Sequence, residues 1–272
     1  MNATVASARL IAPEALEPPV GRKVRPYAVA IALIVVLVWF CIDLEMTPAV
    51  FGKGLASLRR FIGAMIPPHD GGQPWRIVLA LVETFAMAVS GTAIAAVFAA
   101  PLGVLAAKAV VRNAVIHFAV RRVMDLFRGI PALVWALILV SAVGLGPFAG
   151  VLALAFADIP RLAKLHAEAI ENLDQRPLEA LRAAGAGRLA AIRFAAVPQL
   201  APIWSSQILY YLEQNFRNAA ILGIVGAGGI GFALEERIRI FAFDQVAYIV
   251  LLYCVCVGIL DWISSRIRAR LT

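Results

Sequence analysis

Long apolar blocks separated by short polar ones dominate the pattern of this chain. They run from Tyr27 to Ile42, about Ile77 to Ala107, about Val123 to Val143, from Phe148 to the Asp158-Ile159-Pro160-Arg161 stretch, about Ile192 to Leu212, and about Val246 to Ile263. A helix crossing a bilayer takes roughly 20 apolar residues, so the blocks predict an all-α integral membrane protein with about six transmembrane helices. The first is slightly short, and the second is long enough to tilt or project from the bilayer. Leu55, Leu58, Phe61, Ile62 and Met65 recur at helical spacing with Arg59 and Arg60 on the other side, which predicts a helix lying in the membrane interface. Pro67-Pro68 stops it. A tight turn is expected at Gly144-Leu145-Gly146-Pro147. Residues 1–26 carry Pro13, Pro18, Pro19 and Pro26 and read as a flexible cytoplasmic tail, with residues 27–272 forming one transmembrane domain. No small-residue cleavage site follows the first block, so it is expected to stay as an uncleaved span.

Composition agrees. Of 272 residues, 62% are apolar and 15% charged, with mean hydropathy +0.85, whereas soluble domains average about 45–50% apolar and about 25% charged. A net charge of +8 would point to nucleic acid in a soluble protein, but cytoplasmic loops of membrane proteins collect Lys and Arg. With both termini inside, most of the 25 basic residues fall in the N-terminal tail, Lys108 to Arg128, Arg161 to Arg193, and the C-terminal Arg266, Arg268 and Arg270. Lys53, Arg59, Arg60, Arg76, Arg217, Arg237 and Arg239 fall outside. No nucleic-acid partner is expected. Cys41, Cys254 and Cys256 lie within apolar blocks and make neither a disulfide framework nor a zinc set. His69, His117 and His166 are scattered, and no catalytic constellation emerges. No G-x-x-x-x-G-K-[ST] occurs, so ATP and its Mg would have to be held by another subunit. The expectation is a non-enzymatic chain without cofactor or metal.

Three stretches carry candidate chemistry. In the first, a short helix is expected from Pro177, with Asp174 available as a cap and Gly185 placed to end it in a left-handed conformation. Ala180, Ala183 and Ala184 give it a smooth surface, and Glu179 and Arg182 supply charges at i and i+3. In the second, Glu213, Arg217 and Asn218 stand at the outer end of the fifth span, where Glu213 and Arg217, four residues apart, are expected to pair. Charge at membrane depth faces a pathway or a partner, and Arg217 is the candidate anion contact. In the third, the Gly226 to Gly231 segment, which also contains Gly229, matches G-x-G-x-x-G at Gly226, Gly228 and Gly231, but a dinucleotide fingerprint requires a soluble βαβ unit that has no room between two spans. The glycines read instead as a re-entrant segment whose amides face a cavity, or as plain helix packing through small residues.

Glu179-Ala180-x-x-x-x-Gly185, followed by Ile192 and Val197-Pro198, resembles the signature loop of ABC-importer permeases. More narrowly, Arg128 to Leu137, Gly144 to Gly150, Glu168 to Glu171 and Leu222 to Gly231 are similar to phosphonate-importer permeases, while Asp158-Ile159-Pro160 departs from that pattern. The resemblance implies a type I ABC importer-like fold and a permease for phosphonate or a related phosphorus oxyanion in the bacterial inner membrane, both termini cytoplasmic. It implies that a cytoplasmic coupling helix in a loop at about 174–190 docks an ATPase through Glu179, Ala180, Arg182, Ala183, Gly185 and Pro198. It also implies, besides membrane lipid, a second copy of the chain, two ABC ATPase subunits carrying ATP and Mg, and a periplasmic or lipid-anchored substrate-binding protein. A methionine-type permease is the nearest alternative within importers. A secondary transporter or channel is the alternative outside them.

Overall fold

The computed structural model describes residues 20–111 and 113–271. Arg112 and the tail up to residue 19 lie outside them. The chain divides into two compact units, residues 1–63 and residues 64–272. In the first, α1 (Val20–Asp43) contains the apolar run Pro26–Asp43, and α2 (Pro48–Ala64) carries Leu55, Leu58, Phe61 and Ile62 exposed. The expected helix is therefore present and ends just ahead of Pro67-Pro68.

The second unit holds α3 (Pro74–Ala106), α4 (Ala114–Arg128), α5 (Ala132–Val143), α6 (Pro147–Glu171) and α7 (Arg176–Ala183). After a short α8 (Arg188–Ala191) and a π turn at Ile192–Ala196 comes α9 (Val197–Leu222). A second π turn, Gly223–Ala227, leads to α10 (Gly229–Arg239) and α11 (Phe243–Leu271). The described residues contain no strand. Among the described residues, three helices are long and apolar enough to cross a membrane, or up to five if each bent pair is one span. The remaining expected span, the fourth, corresponds to α6, whose 25 residues reach about 37 Å. It carries charged and polar residues from Asp158 onward, of which Asp158 and His166 are buried inside the bundle.

Three span expectations are corrected. The third is not continuous: α4 and α5 meet at 82°. Pro131 has no amide hydrogen, and it pushes Ile130 out of helical backbone space. The fourth does not end near Asp158 but runs on to Glu171, because Asp158 is buried and bonded inside the bundle and Pro160 removes only one donor. The fifth runs on to Leu222, ten residues past the expected end.

The core is a seam between α3 and α6. Gly91, Ala95, Ala99 and Gly103 repeat every fourth residue along one face of α3, so they stack on successive turns. Ala95 and Ala99 are fully buried, as are Ala153, Ala157, Ala163 and Ala167 of α6. Lipid gives apolar helices no hydrophobic reason to associate, and small residues compensate by letting backbones approach closely. A β-carbon on Gly91 would fall 2.8 Å from Leu154 Cβ, and one on Gly103 would fall 2.7 Å from His166 Cβ and 2.9 Å from the Ala163 carbonyl oxygen. His166 stacks on Trp204 of α9 with ring centroids 4.4 Å apart, which carries the seam to a third helix.

Gly103→Leu should therefore part α3 from α6, costing about 1–3 kcal/mol or more by overpacking. It should lower the melting midpoint of the detergent-solubilised protein. Gly258→Ala, with nothing within 4 Å of the added carbon, is the neutral control, and equal midpoints for the two variants would contradict the seam.

Candidate functional site

The loop between α6 and α9 is built as a projecting knob. Asp174 Oδ1 accepts the Arg176 amide at 3.0 Å, and Pro177 sits in the first turn of α7, where its missing donor is harmless. At the other end Ala186 N donates to Leu181 O at 2.9 Å and Gly185 N to Arg182 O at 3.0 Å. With Gly185 at φ +86°, these two bonds form a Schellman termination. Leu178 is buried, whereas Glu179, Ala180, Arg182, Ala183 and Gly185 are exposed. The loop is thus anchored by one leucine and offers a small, charged, rigid face. Pro198, also exposed, is the second residue of α9. Gln199, a residue the sequence reading passed over, ties the two ends together. Its Oε1 accepts the Asp174 amide at 3.2 Å, and its Nε2 donates to Asp174 O at 3.4 Å and Ala195 O at 2.9 Å.

The root of α6 is held equally firmly. Glu171 Oε1 accepts the Lys108 amide and Arg121 Nη2, both at 2.7 Å, while Arg121 Nε donates to Ala106 O at 3.1 Å. Lys164 reaches Asp125 at 3.1 Å. These contacts fix α4 and the end of α3 against the helix that enters the knob.

Deeper in the bundle, the charges arrange themselves differently from expectation. Glu213 and Arg217 do not pair with each other. Glu213 is buried and pairs with Arg268, and Arg217 pairs with Asp261 at 3.2 Å. Because α9 continues to Leu222, these side chains and half-buried Asn218 stand within the helix and not at its outer end. Asp261, lying in the last apolar block, is the sequence signal that could have shown this. A second set joins α3, α6 and α9. Asn215 Nδ2 donates to Asp158 Oδ2 at 2.7 Å and to Thr92 Oγ1 at 2.9 Å, while Arg161 donates to Asp158 Oδ1 at 3.2 Å. Asp158, Asn215 and Thr92 are each at most 2% exposed, so each would be costly in an apolar bundle without these partners.

The glycine segment is a sharp break between two helices. Gly226, Gly228 and Gly229 have φ of +95°, +83° and +68°, values that a β-carbon disfavours. The chain before and after Ala227 is bent by 56°. Gly226 O accepts the Gly146 amide at 3.0 Å, pinning the turn to the start of α6. A side chain on Gly223 would fall 2.8 Å from the Gly231 Cα, so here glycine also serves close packing. The Ile230 amide, expected to face a cavity, is consumed by Thr84 Oγ1 at 2.7 Å. Gly231 lines an apolar cavity of about 310 Å³ with Arg217. Gly228 and Gly229 line a different one, of about 190 Å³, whose wall includes Arg76 and Arg237. Arg217 and the positive-φ glycines are therefore not parts of one cavity.

The Glu213–Arg268 pair is testable by a double-mutant cycle. Arg268→Gln strands the buried Glu213 carboxylate and should cost on the order of 3 kcal/mol, while Glu213→Gln removes one partner of the partly exposed Arg268 and should cost less. The double variant should cost clearly less than the sum of the two in thermal unfolding. Additive losses would contradict the pairing.

Comparison with known proteins agrees with this architecture. The family described as the binding-protein-dependent transport system inner membrane component matches residues 99–272. The phosphite transport system permease protein PtxC of Stutzerimonas stutzeri is 34% identical over 91% of this chain and 89% of its own. The phosphate-import permease protein PhnE of Mycolicibacterium smegmatis is 36% identical over 83% of this chain but 42% of its own longer length. Among solved structures, an inward-facing form of the MetNI methionine ABC transporter superposes with a TM-score of 0.65 at 24% identity, over 75% of this chain and all of that one. That likeness establishes the type I importer permease fold and nothing about cargo. This chain belongs to the family of inner membrane permease components of binding-protein-dependent ABC transport systems.

Proposed function

We propose that the chain is the membrane-spanning half of an ATP-driven importer for a phosphorus oxyanion, phosphonate, phosphite or phosphate. It would work as one of two copies with two ATPase subunits and an external substrate-binding protein. The observation that carries this reading is the knob of α7, a rigid exposed helix with a left-handed stop at Gly185, braced by Gln199 and joined directly to the core helix α6. Such a lever has use only if another protein pushes on it. The cargo follows from the phosphite and phosphate systems in which the relatives serve. Closure of the ATPases on ATP would move α7 and, through the α3–α6 seam, tip the bundle between its outward-facing and inward-facing states. Both termini and the knob lie on the cytoplasmic side in this reading, as the distribution of Lys and Arg requires. Arg217 with Gly231, and Gly228 with Gly229, line two separate cavities that are the candidate walls of the route, while Glu213, paired with Arg268, holds α9 against α11.

Gly185→Val tests the lever. A β-branched residue tolerates φ near +86° poorly, so the stop should distort while the buried core stays intact. The variant should assemble in the membrane, yet phosphite or phosphonate uptake should fall at least about tenfold, a barrier change of about 1.4 kcal/mol. ATPase association or its stimulation should fall with it. Undiminished ATP-driven uptake by Gly185→Val would count against the coupling role. Uptake of methionine but of no phosphorus compound by the unmodified system would reject the cargo.

A further inference from the structure

The cavity behind Gly228 and Gly229 has a polarity that the family assignment does not explain. Its two walls are a face of α3 and a face of α10. Gly228 lies so close to Glu83 that an added β-carbon would fall 2.6 Å from the carboxylate oxygen, and one on Gly229 would fall 2.5 Å from Thr84 Oγ1. From that crossing α10 continues along the cavity, which Arg76 of α3 and Glu236 and Arg237 of α10 also line. Arg76 stands seven residues before Glu83, so the two positions are about 10 Å apart along α3. The result is a groove with a carboxylate at one end and guanidinium groups at the other, floored by Ile77, Ala80 and Ala233.

The charges at the two ends are held differently. Glu236 and Arg237 pair at 2.7 Å and largely cancel. The Arg76 guanidinium donates to the neutral Gln73 side chain at 2.9 Å, which orients it without neutralising it. The Thr84 hydroxyl donates to Ala80 O at 2.8 Å and accepts the Ile230 amide at 2.7 Å, locking the first turn of α10 to α3 and fixing the groove's width. A ligand with an oxyanion at one end and a cation at the other matches this arrangement. A bare oxyanion matches only the Arg76 end, and Glu83 would repel it at the other.

We propose that the α3–α10 groove is a binding site for a small zwitterion, with the phosphorus oxyanion at Arg76 and an ammonium group at Glu83. Glu83 is then the residue that sets preference for amine-bearing phosphonates over amine-free ones. The proposal rests on the importer reading above and adds a selectivity to it. A volume of about 190 Å³ admits a compound of aminoethylphosphonate size and excludes bulky esters.

The test uses the complete transporter, permease with its ATPase partner, in lipid nanodiscs without the substrate-binding protein. Equilibrium binding is measured for 2-aminoethylphosphonate and ethylphosphonate, which differ by the amine alone. The unmodified transporter should bind the amine at least about tenfold tighter, as one charge-assisted contact supplies. Glu83→Gln should equalise the two ligands without weakening ethylphosphonate, Glu83→Asp should keep the preference, and Arg76→Gln should weaken both. Equal affinities in the unmodified transporter, no binding of either ligand, or an unchanged preference in a well-assembled Glu83→Gln variant would overturn the site. Uptake driven by the binding protein separates the two readings. If it persists with unaltered selectivity in Glu83→Gln and Arg76→Gln, the importer stands and the groove falls.

Discussion

Everything in this bundle depends on how closely α3 and α6 approach. Within a membrane, apolar side chains gain nothing from leaving lipid for protein, so helix association rests on backbone proximity and on polar groups that find each other. The Gly91, Ala95, Ala99, Gly103 row of α3 supplies the proximity against fully buried alanines of α6. Once that seam is closed, Asp158 of α6 sits where Asn215 of α9 can bridge it to Thr92 of α3. Three helices are then joined at one buried hydrogen-bonded centre. The helix carrying that centre ends at Glu171, five residues before the exposed α7 begins at Arg176.

The second device is the distribution of charge between α9 and α11. Glu213 meets Arg268 and Arg217 meets Asp261, so α9 carries an acid and a base and α11 carries their complements. The geometry specifies one register of the two helices, because a slip of one turn would bring like charges together. Phe216 and Tyr253, stacked with ring centroids 5.5 Å apart, fill the space between the same two helices. Ion pairing here is a matter of register as much as of strength.

Much of the fold was legible in the sequence because length and polarity are what a bilayer selects. The presence of the long apolar helices, the helix α2, the Gly144-to-Pro147 turn and the left-handed stop at Gly185 follow from hydropathy, proline and glycine chemistry, whereas the limits of three spans do not. What was not legible is whatever depends on a partner helix. Asp158 reads as the end of a span only while Asn215 is unknown as its partner, and Glu213 and Arg217 read as a pair only while α11 is left out. The break at Gly129-Ile130-Pro131 was visible in the proline but was overruled by the apolar run around it. For the candidate site, the short helix α7 and its stop at Gly185 were legible in the local motif. The α3–α10 groove was missed, because Arg76 and Glu83 lie nearly 150 residues from Gly228 in the chain and no local pattern joins them.

The most direct measurement of the central claim is site-specific crosslinking of the α7 knob in the assembled system. In a background lacking Cys41, Cys254 and Cys256, Ala183→Cys places a thiol on the exposed face of the helix, and Gly72→Cys places one in the turn before α3. The account predicts that Ala183→Cys joins covalently to the ATPase subunit, with a yield that changes when nucleotide is added, and that Gly72→Cys does not. A transport-active complex in which Gly72→Cys captures the ATPase and Ala183→Cys never does would contradict it.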